Sequence, residues 1–419
     1  MTVGIPQADG TSIPVDISVT GYVPTVYHHF VHLLEQYGIV TVPNRFSYSV
    51  RYGDGVYAHD LESALKDELR ADIERFRRLL AMLRRFTFLS SAPSRARAAL
   101  NPFNYVPMSR LLDAYGISAD FRNKILKPLF VNLVLASGVF DMPASLFARY
   151  LDFFDIEKST PMVTWDQGTA NLYGKMSAGF SDRIHLSRGV SAIVRDQTGV
   201  LVRDEAGREE RFDEVVLACN ANQALAMLTE PTRYERWLLG SIRYESERHG
   251  LAVVHSDPSV LAEDAAHALD SRTNYVEHCG ARPDSYEITY VMHNQQPWAK
   301  RSDRPCLVTY NAVHPIDEAR VWRRCRFQHV VHDVFHFTVL MSAFQLIQGR
   351  RHTWYCGAHT TLNSQEHCFI SGLAVAYRLG ADYPWPEDPV AAAWFGFWGR
   401  SMFGRRFREV RRIAASRPG

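Results

Sequence analysis

Apolar residues recur along this chain at two spacings, and the spacing changes near residue 184. Before that point, steps of three and four dominate. Across 61–86, Leu65, Leu69, Ile73, Phe76, Leu80 and Leu83 fall on one helical face with charges between them, and Asp60 stands where a cap would. The same spacing predicts a helix over 25–37 closed by Gly38, one over 108–115 stopped by Gly116, and one over 119–134 kinked at Pro128. Short extended segments are predicted at 11–16 and 45–51. Beyond 184 the period drops to two. Strands are predicted at 184–186, 190–195, 199–203, 211–218, 251–255, 286–292, 306–310 and 353–356, with a hairpin turn at Asp196-Gln197-Thr198-Gly199. Helices are predicted at 222–228 and 371–379. Interleaved strands and helices predict an α/β fold with an antiparallel accessory sheet.

At 419 residues the chain is long enough for two or three domains. Hydrophobic residues at 46% and charged residues at 22% exclude wholesale disorder and collagen-like repeats. The 47 Lys+Arg against 45 Asp+Glu demand no nucleic-acid partner. The six cysteines form no CxxC pair, so reduced, mostly buried thiols of a cytoplasmic protein are expected, not a zinc site. No positively charged and then apolar leader stands at 1–10, and no uninterrupted apolar run reaches the about 18 residues of a spanning helix. Aromatics at 12% suit a large apolar pocket.

Three stretches carry a family likeness. The first runs from Gly189-Val190 through the hairpin to Phe212-Asp213-Glu214-Val215-Val216-Leu217-Ala218-Cys219-Asn220. The second is Leu239-Gly240-Ser241-Ile242-Arg243-Tyr244 through Val254-His255-Ser256-Asp257-Pro258. The third is Gln348-Gly349-Arg350-Arg351-His352-Thr353-Trp354-Tyr355-Cys356-Gly357-Ala358, then Glu366, then Ser371-Gly372-Leu373-Ala374. Together they resemble the flavin-containing amine-oxidase and phytoene-desaturase superfamily, within it a bacterial branch of predicted NAD/FAD-binding proteins. The resemblance implies FAD, a Rossmann-like FAD-binding domain of the glutathione-reductase type, and an α+β substrate domain with an antiparallel sheet and a helical block. It implies a FAD-binding part at 1–59, 184–235 and 350–385, a substrate domain at 60–183 and 236–349, and an aromatic, basic tail at 386–419. It places Val190, Ala218, Asn220, Gly357, Ala358, Glu366, Ser371 and Gly372 at the cofactor, with a helix N-terminus toward the flavin's anionic edge. Residues 10–180 resemble the branch more loosely, through Pro14-Val15-Asp16 and through Trp165, Gly168 and Tyr173, with Thr169 where a second glycine stands in the branch.

The chain departs from the pattern in three places. The G-x-G-x-x-G strand–turn–helix that cradles the FAD diphosphate is absent, a unit of roughly 35 residues by alignment. Ile17-Ser18 stands for a Thr-Gly pair. Thr360-Thr361-Leu362-Asn363-Ser364-Gln365-Glu366-His367-Cys368 replaces a glycine-rich loop, so His367 and Cys368 crowd the expected flavin approach. Two explanations are open: the motif lies upstream of Met1, or the chain has degenerated and binds FAD weakly or not at all.

His329, His332 and His336 fall at helical steps, but their valine and aromatic neighbours favour packing over metal ligation, and no metal site is expected. His352, His359 and His367 flank the expected flavin loop as candidate proton carriers. No nucleophile–base set stands out, so no catalytic residue is assigned. In the tail, Trp394, Phe395, Phe397, Trp398, Phe403 and Phe407 alternate with Arg400, Arg405, Arg406, Arg408, Arg411 and Arg412. That suits either peripheral contact with the inner face of an anionic membrane through 394–412 or a helix packed on the protein itself. The expected activity is FAD-dependent hydride removal from an apolar, lipid-like small molecule, with no nucleic-acid partner. The alternative is a non-catalytic relative acting as a partner subunit or membrane-associated binding protein.

Overall fold

The computed structural model describes residues 1–18, 20–52, 55–58, 64–87, 89, 94–135, 138–245, 250–261, 273–278 and 286–407. Its largest sheet has seven strands, in spatial order Val321–Arg326, Leu251–His255, Leu307–Tyr310, Tyr286–Val291, Asn274–His278, Tyr48–Tyr52 and Gly55–Ala58. All neighbours are antiparallel except Asn274–His278 with Tyr48–Tyr52. Every residue of Tyr286–Val291 and Leu307–Tyr310 is buried, as in strands covered on both faces. The helices Arg70–Arg84, Lys127–Val134 and Ala144–Tyr150 join the same core, where the rings of Phe130 and Phe147 stack at 3.7 Å. A second core gathers Ile193, Leu217, Leu238, Phe344 and Tyr355.

Smaller sheets complete the mixed α/β fold. Thr2–Pro6 pairs with Ser12–Asp16, and Thr41–Phe46 pairs with Thr160–Trp165. Val190–Arg195, Val200–Asp204 and Glu209–Phe212 form an antiparallel meander. Val215–Leu217 lies parallel to Thr353–Tyr355.

That two-stranded parallel sheet is closed on its outer edge. The backbone groups of His352 and Cys356 bond toward Val215–Leu217, so those of Thr353 and Tyr355 face away. There the Gly349 N–H donates to Thr353 O, and the Thr353 N–H donates to Arg350 O. The Tyr355 N–H donates to Gln348 Oε1 at 2.9 Å, and Gln348 Nε2 donates to Tyr355 O at 2.6 Å. A turn and one buried glutamine side chain thus occupy the edge that a further parallel strand would take. A buried ion pair pins the same strand from the side. Arg195 Nη1 meets Glu235 Oε1 at 2.6 Å, and the Tyr355 hydroxyl donates to the same oxygen at 2.7 Å. Burial pushes the Glu235 carboxyl up, but Arg195, the Thr232 N–H and Tyr355 outweigh it and hold the group down to about 2.

Several predicted elements come out differently. The predicted strand over 211–218 splits at Asp213-Glu214, and 184–186 is not a strand. The 61–86 helix is two, Ala64–Glu68 and Arg70–Arg84, while its Asp60 cap lies outside the described residues. The 119–134 helix does not simply kink at Pro128. It takes a π-turn over Arg122–Leu126, because Pro128 has no N–H and the preceding ladder slips to longer bonds. His329 lies in a strand paired with Tyr244–Glu245, so the three histidines share no helix. The last helix of the family likeness begins at Gln365 rather than 371, because Ser364 caps it by accepting from the His367 N–H.

The tail folds inward. Asp388 caps a helix over Pro389–Phe403, and Phe395, Trp398, Phe403 and Phe407 are buried in the core. Phe407 packs against Gly399, where any Cβ would collide with its ring. Four of the six tail aromatics are therefore core residues, while Trp394 and Phe397 are half-buried and Arg408, Arg411 and Arg412 lie outside the described residues. No helix among the described residues is long and apolar enough to cross a membrane.

Replacing Gln348 by Ala leaves two buried backbone groups of Tyr355 without partners. Urea unfolding is expected to show a loss of about 2–4 kcal/mol, and a loss below about 0.5 kcal/mol would show that this side chain does not close the edge.

Candidate functional site

A cavity of about 370 Å³ lies where the N-terminal segment, the helix Gln365–Arg378 and the large sheet meet. One wall is the backbone that follows Asp16. This buried carboxylate accepts from the Thr169 N–H at 2.7 Å and from the Thr2 and Thr169 hydroxyls. Gln296 accepts from the Asp16 N–H at 3.0 Å and donates to its carbonyl at 2.7 Å. Thr169, which stands for a family glycine, is thus spent on holding Asp16. So held, the chain leads Ile17, Ser18, Thr20 and Tyr22 along the cavity.

The second wall is the first turn of Gln365–Arg378. Asn363, Ser364, Gln365, Glu366 and His367 line it. Ser364 satisfies the His367 N–H, and the helix itself leaves the N–H groups of its first turn unpaired. Glu366 turns to the neighbouring helix His28–Gln36. It accepts from the His29 and Phe30 N–H groups at 3.1 and 2.8 Å and meets His29 Nδ1 at 2.7 Å, while His29 Nε2 meets the Tyr383 hydroxyl at 3.0 Å. Burial pushes the Glu366 carboxyl up, but these bonds outweigh it and hold it below the usual value. It anchors two cavity walls to each other.

Aromatic side chains fill the remainder, among them Tyr27, Phe154, Tyr150, Trp394, Phe397 and Trp398. Burial raises Tyr27 and Tyr290 above the ordinary phenol value and Tyr150 to about 12, so these hydroxyls stay protonated. Glu366 is the one acidic residue among the described lining residues, and Arg45 and Arg149 are exposed at the rim.

Of the eight residues predicted at the cofactor, Glu366 lines this cavity and the others do not. Gly357 and Ser371 do come together, the Gly357 N–H donating to Ser371 Oγ at 2.8 Å. Gly357 has φ 122° and ψ −173°, a conformation open to glycine alone. Ala358 starts the short turn Ala358–Thr360, and Gly372 lies next to Ser371 in the helix. Val190 and Ala218 are exposed, and Asn220 spends its side chain on capping Ala221–Met227 and on Gln328. The sequence reading missed Asn132, Tyr290 and Gln295. A lone amide inside the apolar run Leu129-Phe130-Val131-Asn132-Leu133-Val134 was the available signal.

The histidines near the expected flavin loop pack with one another. His332 and His336 approach through Nδ1 at 3.2 Å, His336 Nε2 meets His359 O at 3.0 Å, and His332 Nε2 accepts from the Asn363 N–H at 2.9 Å. His367 Nδ1 lies 2.6 Å from Ser364 Oγ. Burial pushes His336 and His367 down to about 4, His359 to about 3, and His332 well below the ordinary value. His352 lies apart, 3.3 Å from Glu214. Among the described residues no group of three or more His, Cys, Asp or Glu is placed to hold a metal.

The cavity is thus lined mostly by apolar side chains and lies at a helix N-terminus of an α/β fold. Residues 9–255 match the family described as flavin containing amine oxidoreductase, and the chain belongs to that family. Its fold resembles the CLA-producing fatty acid isomerase from P. acnes, with a TM-score of 0.59 and 15% identity over 90% of this chain and 89% of that one. It equally resembles a putative protoporphyrinogen oxidase from Exiguobacterium sp. 255-15, with TM-score 0.59, 15% identity and the same coverage, 90% and 89%. Cyclohexylamine oxidase from Brevibacterium oxydans IH-35A matches with TM-score 0.57 and 13% identity over 91% of each chain. At such identities the likeness speaks for fold alone. No curated protein matches the chain in sequence.

The family implies a flavin, and the cavity fits its ring end. Gln365, which begins the helix, lines it, and its Oε1 is buried there without a partner. The diphosphate end is different: no glycine-rich strand–turn–helix occurs in the sequence, and the outer edge of Thr353–Tyr355 is already paired.

The buried histidines make folding pH-dependent. Their folded values lie below the unfolded value of about 6.5, so the unfolded chain binds more protons on acidification. Their contribution is complete above about pH 6.5 and is lost as pH falls through about 4. The melting temperature is expected to fall over that window, and less steeply in His336→Phe. A flat profile, or the same slope in the variant, would contradict neutral burial of this cluster.

Proposed function

We propose that the chain is a flavin-dependent oxidoreductase that acts on an apolar, lipid-like molecule in this cavity. The lining carries the reading: its tyrosines are held protonated, His367 is held neutral, and its one carboxylate is committed to the His28–Gln36 helix. An ammonium substrate would find no unengaged carboxylate among the described lining residues. The Gln365 and Glu366 N–H groups and Gln365 Oε1 would hold the polar edge of the ring. When bound, a flavin supplies a two-electron acceptor that takes hydride from a substrate C–H. Trp394, Phe397, Trp398 and Phe154 exclude water from the space where that carbon must lie. Glu366 and His29 fix the two helices that frame it.

A second reading rests on the closed outer edge of Thr353–Tyr355 and on the missing diphosphate cradle. It makes the chain a non-catalytic relative that binds an apolar molecule directly. A visible spectrum separates the two. The purified protein, incubated with FAD and desalted, is expected to keep flavin absorption near one equivalent per chain. A colourless protein that retains no added FAD would overturn the oxidoreductase reading and leave the binding one.

A further inference from the structure

We infer that a rim of the cavity docks on an anionic lipid surface, through arginines and exposed apolar residues carried by the helices Arg70–Arg84 and Arg95–Ala99 and the segments that follow them. The inference rests on the cavity taking an apolar, lipid-like molecule, as proposed above, and names the surface from which that molecule arrives.

The charge is written in the sequence. Between Glu74 and Asp113 stand eight arginines and no acidic residue, and between Asp388 and Glu409 four arginines and no acidic residue. The fold brings the two stretches together. Arg95 Nη1 donates to the Arg400 main-chain oxygen at 2.6 Å. Burial, and then the like charge of Arg400, lower Arg95 below the ordinary guanidinium value, so two cations share one place.

That place adjoins the cavity. Thr87, Ala98, Phe103 and Phe397 line it and are half-buried. Arg85 stands two residues before Thr87, Arg97 next to Ala98, and Arg400 about one helical turn beyond Phe397. The rings of Phe86 and Phe103 pack at 5.1 Å and join the end of Arg70–Arg84 to the segment after Arg95–Ala99. Asp152 ties in the lining residue Arg149, meeting Arg149 Nη1 at 3.1 Å and Arg84 Nε at 3.2 Å. Arg85 and Arg97 are exposed and make no ion pair among the described residues.

Apolar residues stand out among these charges. Leu100 is 70% exposed and Tyr105 53% exposed, and the Tyr105 hydroxyl donates to Ala99 O at 3.0 Å, which holds the ring near Leu100. A nucleic acid would match the arginines but offer nothing to Leu100 or to the apolar cavity. An anionic bilayer matches all three. Its headgroups suit the arginines, its interface suits an exposed leucine and tyrosine, and its hydrocarbon is continuous in kind with the cavity lining. An apolar molecule then reaches the cavity without crossing water.

The purified full chain is sedimented with sucrose-loaded vesicles of phosphatidylcholine, alone or mixed with phosphatidylglycerol. It is expected to go down with the mixed vesicles, to leave them as salt is raised, and to stay in solution with phosphatidylcholine alone. Arg85→Gln and Arg97→Gln are each expected to weaken binding about fivefold, and Leu100→Ser about tenfold. Arg236→Gln makes the same charge change on an exposed arginine of the helix Arg233–Gly240 and is expected to leave binding unchanged. All four side chains are exposed, a melting temperature checks each fold, and any one rim variant carries the comparison. An equal loss in Arg236→Gln, or no loss in the folded rim variants, would overturn the assignment to this rim. Equal binding to both kinds of vesicle would overturn the part given to charge. Binding of duplex DNA without binding of the mixed vesicles would give the arginines to a nucleic acid and overturn the lipid docking. Binding to no vesicle would overturn it as well. The flavin-retention measurement above is made without vesicles, so the oxidoreductase reading stands or falls apart from this one.

Discussion

The strand Thr353–Tyr355 is the constraint on which the site depends. It is three residues long, yet its hydrogen-bonding groups are engaged on both edges. On one side it pairs with Val215–Leu217. On the other it is closed by the turn at Gly349-Arg350 and by the Gln348 amide. Its Tyr355 hydroxyl ends on the buried Arg195–Glu235 pair, which ties it to the meander and to the helix Arg233–Gly240. So fixed, it delivers Gly357, whose N–H is caught by Ser371 of the next helix. That contact ties the end of the strand to the helix Gln365–Arg378, whose first turn is a cavity wall.

Side-chain amides do the work of backbone elsewhere too. Gln296 binds both the N–H and the carbonyl of Asp16, as Gln348 does for Tyr355. The Asp16 and Tyr355 contacts lie on the two segments that frame the cavity from opposite ends of the chain. Each replaces a strand neighbour with one buried residue, which is compact but brittle. A truncated glutamine exposes two backbone groups at once, and no neighbouring strand stands ready to take them.

Gly55–Ala58, Asn274–His278 and Val321–Arg326 went unread, but four strands of the large sheet were legible, because runs such as Leu251–His255 and Tyr286–Val291 are mostly apolar and hydroxyl residues. The order of the sheet was not. It places Asn274–His278 beside Tyr48–Tyr52, more than two hundred residues earlier, and no local pattern encodes that pairing. The site was legible only in outline. Glu366 and the helix N-terminus were named through the family likeness and do lie at the cavity, but the helix start was misplaced because Ser364 was read as loop rather than as a cap. Val190, Ala218 and Asn220 were placed at a cofactor by likeness alone, and the structure commits Asn220 to capping a helix. The aromatic tail left two readings open for a physical reason. An interfacial helix and a core helix share their apolar residues, and Gly399 is what lets Phe407 close onto the core.

Charge economy links the cavity to the fold around it. Burial keeps the histidines of the 332–367 cluster neutral and the lining tyrosines protonated, so the ionised groups are those with fixed partners. Glu366 is the instructive case. It lines the cavity, yet its oxygens are taken by the N-terminus of His28–Gln36, a helix whose own cap residue, Tyr27, supplies no side-chain bond. The carboxylate therefore serves the architecture and leaves the cavity field to neutral groups. The unpaired polar atoms at the lining, Gln365 Oε1 at one wall and Asn132 Oδ1 and Gln295 Oε1 at another, are all amide oxygens. An apolar space walled mainly by neutral groups favours neutral molecules over ions. That preference follows from how the chain has spent its charges, whatever the cavity holds.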